Sequence, residues 1–138
     1  MSNNSASIAA PRLAVVAHAP LASALRAVAA HVLGEAAVLS SGAVFIDVLP
    51  DAAPETSTAL MTAALAQQAG AQALLILTDL PHATPHNCAA AAAKLAMDNM
   101  SDAAVLSGCT AAMVLRAVAN GSSAKPLNLE GLLAKLHS

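Results

Sequence analysis

The chain has 138 residues, of which 57% are apolar and six are Lys or Arg, and its formal net charge is −2. That length suits one domain with a substantial core. With one Phe, no Trp and no Tyr there is no stacking platform, and the scattered cations form no basic stripe, so a nucleic-acid partner is not expected.

The apolar fraction does not imply a membrane span. Alanine supplies 38 residues and the uninterrupted apolar runs are short, whereas a spanning helix needs about 20 apolar residues. Residues 1–11, MSNNSASIAAP, carry no positive region and no long apolar segment. They read as a disordered tail rather than a secretory signal, ahead of one domain over residues 12–138, and the expected compartment is the cytoplasm. Cys88 and Cys109 form no C-x-x-C pair and read as reduced core cysteines.

The first predicted strand is Arg12–Ala17, an apolar run suited to burial on both faces. His18-Ala19-Pro20 ends it. Pro20 opens a helix over Leu21–Leu33, with Leu21, Leu25, Val28 and Val32 at helical spacing, and Gly34 stops it. Ala43–Val48 is the second strand. Pro54 and Glu55 start a second helix that ends at Gly70. Ala73–Thr78 is the third strand and Pro85–Met97 an alanine-rich third helix. Ala103–Leu106 is the fourth strand, followed by a helix over Ala111–Ala119. After the polar loop Asn120–Lys125, Asn128 caps a last short helix, Leu129–Leu136.

This alternation predicts an α/β fold: one doubly wound domain with a four-stranded parallel sheet and helices on both faces. Right-handed crossovers leave few topologies, and the order 2-1-3-4 is the expected one. It places the switch point between the first and third strands, where open α/β sheets bind ligands. The carboxyl ends of those strands carry His18 and Asp79.

With the sheet in that order, the Asp79 carboxylate can accept the Nδ1–H bond of His18. This fixes the tautomer and leaves Nε2 as nucleophile. The bland readings are a polar loop residue for His18 and a turn cap for Asp79. Thr84-Pro85 is an N-cap and first turn, a geometry that also aims donors at a phosphoryl group. His82 and His86 lie four apart, but Pro81 and Pro85 break the helix that would align them. A zinc-type site from His18, Asp79, His82 and His86 is therefore the weaker alternative.

Three stretches carry a family resemblance: AVVAHAPLASAL, TDLPHATPHNCA and VLSGCTAAMVL. They are similar to motifs of the mannose/fructose-type enzyme IIA domain of the bacterial sugar phosphotransferase system. The resemblance covers about residues 12–136. It implies that His18 accepts a phosphoryl group from phosphorylated HPr and passes it to a IIB partner that serves a membrane sugar permease. In the same terms, Asp79 orients His18, and Thr84 with His82 and Ala83 forms the phosphate-binding turn. His82 and Ala83 stand where the family has two glycines. The resemblance also implies a homodimer and no cofactor. A regulatory binding module of the same fold, and the phosphocarrier subunit of a dihydroxyacetone kinase, are the other functions open to such a chain.

Overall fold

The computed structural model describes residues 10–50, 59, 73–80, 87–91, 93, 94 and 102–136. The predicted helix opened by Pro54 and Glu55 lies almost wholly outside these residues. So do residues 81–86, which include His82, Ala83, Thr84 and His86, and all of the N-terminal stretch but Ala10 and Pro11.

The described elements are β1 (Arg12–His18), α1 (Leu21–Leu33), α2 (Glu35–Ser41), β2 (Val44–Val48) and β3 (Ala73–Thr78), then helical residues 87–91, 93 and 94 (α3), β4 (Asp102–Leu106), α4 (Ala111–Gly121) and α5 (Leu129–Leu136). The four strands form one parallel sheet in the order β2-β1-β3-β4, as expected. Val16 pairs with Thr78 and His18 with Val48. The carboxyl ends of β1, β2 and β3 therefore meet at one edge.

The two central strands are apolar because both of their faces are covered. Leu13, Val15, Ala17, Leu75 and Leu77 point to a layer built from α1, α2, α4 and α5, joined there by Leu25, Ala29, Val38, Val114, Val118, Leu132 and Leu136. Ala14, Val16, Leu74 and Ile76 point the other way, onto Cys88, Ala89 and Ala93 of α3. Leu74, Leu75, Ile76 and Leu77 are all at most 1% exposed. Each such side chain stabilises the fold by about 1.5–3 kcal/mol. That anchors β3, and with it the position of the residue that follows.

α2 departs from expectation, since the sequence predicts no element between Gly34 and Ala43. Gly34, at φ +96°, lets the chain leave α1 and re-enter a helix bent 118° from it. Arg26 and Glu35 close the bend through a two-pronged ion pair, with Nη1 donating at 3.1 Å and Nη2 at 2.7 Å. Val38 alone of α2 is fully buried, so seven residues carry too little periodicity to announce the helix.

Among the described residues no single helix is long and apolar enough to cross a membrane. The bent pair α1–α2 reaches the length only together, and it places Ala22, Leu25, Ala29 and Val38 in the core. The caps of the C-terminal helices are local. Thr110 Oγ1 accepts from Met113 N at 3.2 Å, and Asn128 Oδ1 accepts from Gly131 N at 2.9 Å.

Candidate functional site

His18 is the last residue of β1, and Asp79 is the first residue after β3. Because these strands are neighbours, the two side chains meet across 61 positions of sequence. Asp79 Oδ2 accepts from the His18 backbone N–H at 3.1 Å and lies 2.8 Å from His18 Nδ1. Asp79 Oδ1 accepts from Leu80 N at 2.9 Å. An ionised carboxylate can only accept, so the Nδ1 proton belongs to the ring and the Nε2 lone pair is the free one in the neutral imidazole.

The carboxylate is held ionised. Burial pushes the Asp79 pKa up. The Nδ1–H bond from His18, the backbone bonds from His18 and Leu80, and the attraction of the imidazole outweigh it and hold the group below its ordinary 3.8. The side chains are 45% exposed for His18 and 11% for Asp79. The pair thus shows the imidazole to solvent and hides the acid behind it. His18 and Asp79 line an open depression of about 470 Å³ together with Ala19, Pro20, Leu21, Ala24 and Leu80.

Backbone contacts fix both partners. Ala19 N donates to Val48 O at 3.0 Å, which ties the residue after His18 to β2. Gly108 N donates to Asp79 O at 2.8 Å and Cys109 N to Thr78 O at 2.9 Å, which ties the end of β3 to the turn after β4. Gly108 has φ +69°, a conformation that favours glycine. Cys109 is half-buried and Cys88 fully buried. Burial first, and then the negative charge of Asp79, push the Cys109 thiol up, which makes it a poor nucleophile.

One acidic residue near the site was not anticipated from sequence. Pro20 caps α1 with no side-chain hydrogen bond, after a cis Ala19–Pro20 peptide. Asp47 of β2 supplies the acceptor instead. Its Oδ1 takes Ser23 N–H at 3.1 Å, and its Oδ2 takes the Ser23 hydroxyl. The only hint in sequence is a carboxylate inside an otherwise apolar strand.

Thr84, His82 and Ala83, read as the phosphate-binding turn, lie outside the described residues, as does His86. Asn87 begins the described part of α3 and is exposed. Among the described residues no three His, Cys, Asp or Glu side chains come together to hold a metal. Two members of the four-residue metal alternative, His82 and His86, are outside that set.

The family model EIIA-man, the PTS system fructose IIA component, matches residues 12–135. The chain belongs to this family. The match runs from the start of β1 almost to the end of α5, so His18, Asp79 and Asp47 of this EIIA-man chain all fall within it. No curated protein matches the sequence significantly. Among solved structures, the mannose/sorbose specific IIA subunit of the phosphotransferase system from Enterococcus faecalis is 25% identical, with TM-score 0.72, over 93% of this chain and 87% of that one. The phosphotransferase system component EIIA from Streptococcus agalactiae shares the fold at 20% identity and TM-score 0.74, over 91% of this chain and 88% of that one. A PTS IIA protein associated with the fucose utilization operon of Streptococcus pneumoniae does so at 18% identity and TM-score 0.69, over 94% and 90%.

Proposed function

We propose that this IIA component is a phosphocarrier that accepts a phosphoryl group on His18 Nε2 from phosphorylated HPr and passes it to a IIB protein during sugar uptake. The observation that carries the reading is the 2.8 Å contact between His18 Nδ1 and Asp79 Oδ2, with the imidazole half-exposed beyond it. The Nε2 lone pair attacks phosphorus. The bond from phosphorus to the donor breaks, and its electron pair stays with the donor. Asp79 keeps the proton on Nδ1 and offsets the positive charge that develops on the ring. Thr84, His82 and Ala83 would supply the turn that receives the phosphoryl oxygens. The reading puts the chain in the cytoplasm as a homodimer that serves a membrane permease through IIB.

The test combines phosphoenolpyruvate, purified enzyme I and HPr with this protein, read by intact mass at neutral pH. One phosphoryl adduct is expected, absent in His18→Ala. No adduct from active phospho-HPr, or an adduct that persists in the variant, would refute it. A phosphorylated protein that then transfers to no IIB component would leave the carrier step without its acceptor and overturn the transport role.

A further inference from the structure

The first turn of α1 lines the same depression as His18, through Leu21 and Ala24. A helix N-terminus concentrates roughly half a positive charge and favours anions within its first turn. A phosphoryl group on His18 would lie beside that positive end. Yet the end is already engaged by a carboxylate. Asp47 binds Ser23 through both of its oxygens, one on the backbone N–H and one on the hydroxyl. Pro20 has no N–H and offers no side-chain cap, so Asp47 supplies the side-chain cap from the neighbouring strand. Its place is fixed by the ladder, because Asp47 pairs with Ala17 in β1, one residue before His18.

We propose that Asp47, acting through Ser23 and the first turn of α1, sets how readily His18 gives up its phosphoryl group. The proposal rests on the phosphocarrier reading above. Onward transfer breaks the bond between phosphorus and Nε2, returns that electron pair to Nε2 and forms a bond from phosphorus to the acceptor. Negative charge at Asp47 offsets the helix end and repels the phosphoryl oxygens. Both effects have the same sign: they raise the free energy of the phosphorylated state relative to the free imidazole. Asp47 is a positioning residue, since it acts through α1 and touches no reacting atom.

The experiment measures the equilibrium between phospho-HPr and this protein by intact mass over a range of mixing ratios, together with the lifetime of the isolated phosphoprotein. Asp47→Asn keeps an acceptor for Ser23 N–H and removes the charge. It is expected to shift the equilibrium toward the phosphoprotein by roughly two- to fivefold and to lengthen its lifetime in proportion. Asp47→Glu retains the charge and is expected to stay near the wild-type equilibrium. Asp47→Ser, a neutral capping residue, repeats the measurement should the asparagine disturb folding. Asp102→Asn removes an exposed carboxylate at the amino end of β4, the edge of the sheet opposite His18, and is expected to shift nothing. A purely structural cap would lower stability and slow transfer in both directions without moving the equilibrium. That result, or an equal shift in Asp102→Asn, would overturn the role of Asp47. A wild-type protein that takes no phosphoryl group would instead remove the phosphocarrier reading beneath it.

Discussion

Replacing Asp79 separates orientation of the imidazole from its mere presence. Asp79 accepts three hydrogen bonds with two oxygens, and two of them come from His18. Asparagine has one acceptor oxygen. It cannot serve the His18 backbone, the imidazole and Leu80 together, and its amide can face Nδ1 as a donor. That geometry selects the tautomer with the proton on Nε2, which has no nucleophilic lone pair there. A hydrogen bond to a charged group is worth about 1.5–3 kcal/mol, and the side chain is only 11% exposed, so screening is slight. About 3 kcal/mol in the transition state corresponds to roughly a hundredfold in rate. Asp79→Asn and Asp79→Ala should therefore slow phosphorylation by about that factor, measured as the initial rate of adduct formation with saturating phospho-HPr. His18→Ala sets the floor. Circular dichroism checks that the variants are folded, and ¹⁵N shifts of the His18 ring report the tautomer. A folded Asp79→Ala protein phosphorylated within threefold of the wild-type rate would refute the orienting role.

The remaining predictions follow from the same contacts. The folded-state pKa of Asp79 is depressed, so its contribution to stability is present above the unfolded-state pKa and lost as pH falls through the lower folded value; urea midpoints between pH 6 and pH 2 should fall less steeply in Asp79→Asn than in the wild type. Leu75→Ala opens a hole beneath the α1 layer at a fully buried position and should cost about 2–5 kcal/mol in urea unfolding. Asn128→Ala removes the cap of α5 and should cost about 1 kcal/mol while phosphorylation proceeds at the wild-type rate. Cys109, with its thiol pushed up by burial and by Asp79, should alkylate with iodoacetamide at pH 8 more slowly than a free model thiol, and faster in Asp79→Asn.

The core strands were legible because apolar runs such as ALLIL, bounded by polar residues, leave little choice of element or burial. His18 and Asp79 stood out for a related reason: each is a polar residue where such a run ends, and the strand order brings the two ends together. α2 was not legible. It follows a glycine that normally stops a helix, and its seven residues bury only Val38. Asp47 escaped for a different reason. Its role depends on Ser23, 24 positions earlier, and on where α1 begins against β2, which no local pattern encodes. The edges of elements moved slightly. β1 runs on through His18 because His18 still pairs with Val48, and α4 continues past Ala119 to Gly121.

The imidazole of His18 and its own backbone N–H are bound to the same oxygen, Asp79 Oδ2. A ring tied in this way cannot swing on its side-chain torsions without releasing one of the two bonds, so Nε2 is fixed to the frame of the sheet. Such a centre behaves as an anvil rather than an arm. On the phosphocarrier reading proposed above, donor and acceptor proteins would each bring their reactive group to one fixed point along one line of approach. Exchange would then be a matter of successive docking, its rate set by how well each partner is shaped to that approach.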